Sequence, residues 1–448
     1  MYRSLILGMT TVYNSERSSY YFSMLLRWRR RPGTPSALAL PGLVPLLLAE
    51  VVSSMGAQFA FLALPWLVLT STGSPAQMGW VMTAELVPVA LFGVYGGVLA
   101  ARIGPRRWMI FADVIRGFII ALVPVLHAVG VLSLPILLGV AFALGLFTAP
   151  YLASQQTIVG DLVGEESSLL ASAASLLQGA VRTTVLLGPP VAAVLITAVG
   201  APFVLALNAL TYWGAAYLVA RRVRTAVAPA PQDLGGARAG MRTLWSDRLL
   251  RYWTLGTVLT EAAWQALFVA IPVFAYTRYG GDVRTVGLVV GAFGVGALTG
   301  SLLAVIAVRR FAAVRLTTAG KVTQGLLFTL LLLPLDPFGL AACLLVAGLF
   351  NGITNGPAAA VRLGRITPGL RPQTLTIFSA ITTLGGAAGL VIGGMALEAL
   401  GDRATLLGMV IMQVLGFSLF VVGTCRQGEG PATTPAPTVD RSPLPEKG

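Results

Sequence analysis

Charge is what this sequence has least of. Only 11% of its 448 residues are Asp, Glu, Lys or Arg, against about a quarter in water-soluble domains. That shortage excludes a solvated surface over most of the chain. Histidine is scarcer still: His127 stands alone, and His-ligated metal sites draw on two or three imidazoles. It reads as a loop residue. The two cysteines, Cys343 inside an apolar block and Cys425 at the edge of the last one, make neither a disulfide framework nor a metal site. No Gly-x-x-x-x-Gly-Lys-Ser/Thr loop occurs, so the chain does not drive itself with ATP. No metal and no cofactor are expected. The net charge of +14 comes from basic residues in short clusters between apolar blocks, without the continuous basic face that nucleic acid requires.

Hydrophobic residues are abundant, at 56%, and they run in blocks such as 326–335 and 340–350. At ~1.5 Å per residue a helix needs ~20 residues to cross the hydrocarbon core. Blocks of that size fall near 42–70, 78–101, 108–128, 134–155, 168–197 and 203–220, then 252–277, 285–308, 316–335, 338–361, 373–398 and 404–425. The fold class is therefore an all-α membrane protein of twelve transmembrane helices in two six-helix bundles, 41–221 and 252–425, bathed in the lipid bilayer.

Between them, 222–251 reads as a cytoplasmic linker rich in arginine. Its part from Met241 to Tyr252 has apolar residues at helical spacing, which suits either a helix lying on the membrane surface or a solvated linker. The first forty residues lack a secretory-signal pattern, because Arg27 and Arg29 to Arg31 follow the apolar stretch instead of preceding it. They read as a cytoplasmic extension, and translation starting at Met24 is one hypothesis for them. Residues 426–448, rich in Pro and Thr, read as a disordered cytoplasmic tail. Of the 31 Lys and Arg residues, Arg278, Arg284 and Arg403 fall opposite the termini, and Arg116, Arg182 and Lys321 lie within spans. The remainder share the termini's side, and the positive-inside rule places both termini in the cytoplasm.

The two halves echo each other. Gly79 and Arg102 in the second block recur as Gly287 and Arg309 in the eighth, and Gly188 and Gly200 recur as Gly389 and Gly401 at a matching spacing. Parallel repeats of this kind describe one large transporter class. The loop after the second block, with Gly97, Ala101, Arg102, Gly104, Arg106 and Arg107, resembles the signature loop of the major facilitator superfamily. Small residues there let helices approach while the arginines pin a cytoplasmic turn. The family's aspartate is replaced by Ala101, which removes one arm of its charge latch. Gly188, Pro189 and Pro190 resemble the antiporter signature of efflux members, with Ala192 and Ala193 in place of its glycine pair. The counterpart Gly389, Gly393 and Gly394 keeps the pair. The run 366–371 is similar to the branch of macrolide-efflux and siderophore-export proteins.

The resemblance implies a secondary active transporter of the cell (inner) membrane, working as a monomer. Its activity would be proton-coupled efflux of a small amphipathic compound such as a drug, natural product or siderophore. Spans two, five, eight and eleven would meet between the halves. Glycine ladders, including Gly296 with Gly300 and Gly389 with Gly393, suit close helix packing.

Ionisable groups at membrane depth are expensive and are functional candidates for that reason. Here they are Glu50, Glu85, Asp113, Arg116, Arg182, Glu261 and Lys321. Glu50 and Glu261 occupy comparable depths in the paired first and seventh blocks, so either can bind a proton on one side and release it on the other; solvation near the interface is the plainer reading. Asp113 and Arg116, three apart near the cytoplasmic end, fit a gating role with the signature loop, pairing with it or with each other. Arg182 needs an acidic partner, a carbonyl or an anionic substrate. Asn208, Trp264, Gln265, Asn351 and Asn355 add polar and aromatic lining or helix-to-helix hydrogen bonds. Alternatives to export are an importer or lipid flippase of the same fold. A membrane-embedded enzyme would need a polar cluster such as 159–168, with Asp161, Glu165 and Glu166 but no histidine. A receptor or scaffold would need large soluble loops, and the sequence has none.

Overall fold

The computed structural model of the chain describes residues 40, 42–163, 167–224 and 237–425. Six helices form the first half: α1 (Leu43–Thr72), α2 (Pro75–Ile103), α3 (Pro105–Ala128), α4 (Leu134–Val163), α5 (Ser167–Val199) and α6 (Ala201–Arg222). A short helix, α7 (Ala237–Ser246), precedes α8 (Arg248–Thr277), α9 (Val283–Arg310), α10 (Ala313–Thr329) and α11 (Pro337–Arg365). The last segment, Arg371–Cys425, is two helices broken at Gly401 (φ 75°, ψ 179°); we call them α12 (371–400) and α13 (402–425).

Turn chemistry sets these boundaries. Gly73 caps α1 in the left-handed region (φ 69°) and its N–H closes on Leu69 O, a conformation that costs glycine little. Asp336 caps α11 by accepting from the Gly339 amide, with proline in the first turn. Gly200 and Gly401, a matched pair of the internal repeat, both have positive φ (86° and 75°). Among the described residues, nine helical segments are long and apolar enough to cross a membrane, and the one ending at Cys425 is the α12–α13 pair. The remaining two spans are α2 and α10, the latter 17 residues continued by a 3-10 turn, Leu330–Leu332.

Each half packs within itself. α1 lies on α5 and α6, α2 on α4, and α3 on α6; in the second half the last two helices pack on α8, and α9 and α10 on α11. Backbones come close where glycines permit it: Gly296 and Gly300 face the backbone of 345–349 on α11, and Gly348 and Gly352 face α9 in return. Gly188 abuts Gln58 of α1, and its repeat mate Gly389 abuts Ala262 of α8.

Between the halves, α2 meets α12 and α5 meets α9. Gly79 sits against the carbonyl of Leu390, Gly394 against Pro75, and Gly287 against Ala193 and Pro190. The seam is tight at the end carrying the 73–74 and 278–282 turns. There Phe61 meets Phe268 and Trp66 meets Tyr276 edge to face, with centroids 6.0 and 6.4 Å apart. Thr83 donates to Ala387 O at 3.1 Å. The Glu398 carboxylate accepts from the Ser74 hydroxyl at 2.5 Å and from the Ala76 amide at 3.2 Å. Further along α2 the seam opens: a Cβ on Gly79 would strike backbone, whereas one on Gly93 would meet nothing within 4 Å.

Within the linker, α7 is a helix and not an unpacked solvated segment: it docks on the second half, with Gly240 against the start of α12 and Leu244 buried with Leu250 and Ile366. Burying Leu244 against another helix removes more apolar surface from water than a solvated linker would. The N-terminal extension with Met24, residues 225–236 of the linker and the tail from 426 lie outside the described residues.

A buried charge network and a central cavity

In the first half the polar groups of four helices converge. Glu50 on α1 is fully buried; it accepts from the Tyr151 hydroxyl at 2.9 Å and from Gln155 Nε2, both on α4. One turn along α1, Ser53 donates to Asp113 of α3 at 3.2 Å. Asp113 pairs with Arg116, whose guanidinium lies between the rings of Tyr151 and Tyr212, 4.1 and 4.5 Å from their centroids. Cation–π contact partly replaces the water that an arginine loses on burial. Asp113 Oδ2 and Arg116 Nε have no hydrogen-bond partner among the described residues. The network of Glu50, Asp113 and Arg116 thus holds two carboxyl groups against one cation.

Asp113 and Arg116 therefore join Glu50 and each other, not the signature loop. Arg106 of that loop donates to Val223 O and Ala220 O at 2.6 and 2.7 Å, tying α3 to the end of α6. Gly104 provides the turn with φ 94°, and Arg102 and Arg107 are exposed. Gly97 lies within α2. Asn208 is fully buried on α6, accepting from Thr211 at 3.2 Å. Arg182 is exposed and has no acidic partner among the described residues.

The second half arranges its charges around space. A cavity of about 490 Å³ is lined by Glu261, Trp264 and Gln265 of α8, Lys321 of α10 and Asn351, Asn355 and Arg362 of α11, with Leu86 contributed by α2. Helical periodicity explains this lining: 257, 261, 264, 265 and 268 share one face of α8, and 351, 355, 358 and 362 share one face of α11. Asn355 donates to Asn351 at 2.8 Å. A second pocket of about 100 Å³ lies between the halves, is lined by Glu85, and shares Leu86 and Gln265 with the larger one. Arg116 is within electrostatic reach of Glu85 and of Glu50, so Glu85 links the cavity to the buried network.

Glu50 and Glu261 are not equivalent. Because α8 begins at Arg248 and α1 at Leu43, Glu50 is roughly 10 Å and Glu261 roughly 20 Å from its helix start. Glu50 is enclosed and Glu261 faces the cavity. The pattern search missed Tyr151, Gln155, Tyr212 and Arg362. Tyr151 and Gln155 stand four apart on one face of α4, and Arg362 continues the asparagine face of α11; those spacings were the available signals.

A family model described as transmembrane secretion effector matches residues 37–446. This chain belongs to that family of major facilitator superfamily transporters. It is 25% identical over 384 residues to the multidrug efflux pump Tap of Mycobacterium tuberculosis (strain ATCC 25618 / H37Rv), covering 82% of this chain and 89% of the relative. An uncharacterized MFS-type transporter of Sinorhizobium fredii, y4rN, is 26% identical over 362 residues, covering 80% and 88%. The fold is also that of the nucleoside transporter NupG (TM-score 0.64, 14% identity, 85% of this chain and 98% of that chain). A bacterial homolog of the human lysosomal transporter Spinster in an inward-facing, unoccupied conformation has a TM-score of 0.66 at 13% identity, covering 85% and 96%. As a major facilitator superfamily member the chain is a multi-pass transporter of small molecules and not an enzyme. Of the polar stretch 159–168, Glu165 and Glu166 lie outside the described residues.

Proposed function

We propose that this transporter is a monomeric exporter of the cell membrane that moves amphipathic small molecules outward in exchange for protons. The observation that carries the coupling is the excess of one carboxyl group over cations in the sealed network of Glu50, Asp113 and Arg116. A net charge enclosed in a low-dielectric bundle is costly, and one proton removes it. Glu50 takes that proton, because Asp113 already has Arg116. Glu85, facing both the inter-half pocket and Arg116, lets the network sense whether the cavity is occupied.

Export is supported by the likeness to a multidrug efflux pump. With the basic, terminus-bearing end in the cytoplasm, the seam held by Glu398 is on the outer side and the cavity is reached from inside, where an exporter loads. Proton binding from outside and substrate loading from inside then drive the halves to rock about α2–α12 and α5–α9.

Everted membrane vesicles carrying the full chain test this. On energising, they are expected to accumulate an amphipathic zwitterionic dye such as rhodamine B, and adding the dye is expected to dissipate part of the pH gradient. Glu50→Gln should abolish gradient-driven accumulation while leaving dye binding intact. Full gradient-driven transport in Glu50→Gln would remove the coupling, and transport without proton movement would remove exchange altogether.

A further inference from the structure

The large cavity has charges that the protein itself leaves unanswered. Lys321, only 9% exposed, donates to Gln324 Oε1 at 3.3 Å, which occupies one of its three N–H donors. Glu261 is within electrostatic reach of Lys321, yet no direct ion pair joins them among the described residues. Arg362 lies close enough to Lys321 for the two cations to repel. Its guanidinium stacks over the Phe378 ring at 4.4 Å, and its Nε is buried without a hydrogen-bond partner. Trp264, 5% exposed and lining the same cavity, leaves its indole N–H unpartnered as well.

Cations therefore outnumber carboxylates on the cavity wall. Lys321 and Arg362 line it against Glu261 alone, so a ligand that balances the site brings an anionic group. Charge-assisted hydrogen bonds to that group are the strong ones, and two neighbouring cations lose their mutual repulsion when an anion sits between them. Glu261, lining the same cavity, suits an ammonium or N–H donor. The apolar share of the ligand has its place too: Trp264 packs against Phe293 at 4.9 Å and Phe268 at 6.3 Å between centroids, an aromatic wall suited to a flat ring.

Resting on the transport reading of this cavity, we propose that its preferred substrates are aromatic compounds bearing a carboxylate or an equivalent anion, zwitterions included. The Lys321 and Arg362 cations receive the anionic group. Purely cationic amphiphiles are the poorer substrates.

The test compares molecules differing only in that group: norfloxacin and tryptophan, both zwitterions, and their methyl esters, which keep the amine and lose the acid. Binding to the full-length protein in lipid nanodiscs is measured by calorimetry, and uptake by everted vesicles in parallel. Each acid is expected to bind at least ~10-fold tighter than its ester, the scale of one charge-assisted hydrogen bond. Lys321→Gln should bring the ratio near one by weakening the acids alone, and Lys321→Arg should restore it. A merely structural lysine would weaken acid and ester alike. Esters bound as tightly as acids, or no binding of any of the four to protein with a normal melting transition, overturns the proposal. Esters transported while acids are not also overturns it, with the transport reading intact. Acids bound preferentially but never moved would uphold the site and remove the transport reading.

Discussion

The two halves share one helix plan and treat charge in opposite ways. The first closes its charges in: Asp113 pairs with Arg116, Glu50 accepts from the hydroxyl and amide groups of α4, and all three side chains are buried. The second opens its charges onto a cavity, where Glu261, Lys321 and Arg362 stay apart. A sealed network responds to something as small as a proton, and an open one responds to something large enough to touch several walls. The helix plan occurs twice, and in the function proposed above its side chains divide the two tasks between the halves.

The contrast breaks most readily at Arg116. Removing one member of a buried pair costs about 3–5 kcal/mol because the other charge stays buried and alone, so Arg116→Gln should sharply lower yield and melting temperature, and Asp113→Asn in the same chain should recover much of the loss. Lys321→Gln, at the edge of a cavity, should change melting far less. Equal losses from the two would mean the halves do not differ in this way.

The joint between halves comes next. Gly79→Val drives a side chain into the Leu390 backbone, and overpacking of this kind costs about 1–3 kcal/mol, here charged to the closed conformation. Spin labels at Val131 and Phe338 in a cysteine-free chain should report a longer distance at that end, whereas Gly93→Val, in open space, should leave the distance unchanged. Glu50→Gln and Glu261→Gln then sharpen the division of labour. The first should lose gradient-driven accumulation with binding retained. The second should keep coupling and weaken substrate binding by roughly tenfold, the scale of one charged contact. The smallest effect is expected at Glu398, whose carboxylate from α12 caps the first turn of α2. Such a contact is worth about 0.3–1 kcal/mol, so Glu398→Gln should move the spin-label population toward the open form by a few-fold at most. The family's charged latch at the opposite end of this helix pair has Ala101 in place of its aspartate, so Glu398 has no acidic counterpart there.

Much of the cavity was legible from ionisable, polar and aromatic residues set within apolar spans, since Glu261, Trp264, Gln265, Asn351 and Asn355 all line it. Arg362 escaped because it stands beside Arg365 at a helix end, where the positive-inside pattern already accounts for arginines. The network of the first half was only half legible. Its charged members stand out at membrane depth, but Tyr151, Gln155 and Tyr212 are neutral, and neutral polar groups are common in such helices. Nor did the sequence place Asp113 and Arg116 beside Glu50, because that meeting depends on how α1, α3 and α4 rotate about their axes. The docking of α7 on α12 likewise follows from a partner surface some 130 residues away in the chain.

The number of spans, their division into two repeated halves and the presence of unaffordable charges among them were written in the sequence itself. A bilayer demands ~20 apolar residues per crossing and full hydrogen bonding within each helix, and both conditions are local. Which charges meet, which face a cavity and which end of the seam is closed were decided by tertiary packing alone. Those outcomes depend on the rotation and approach of helices far apart in the chain, set by where glycines allow backbones to touch.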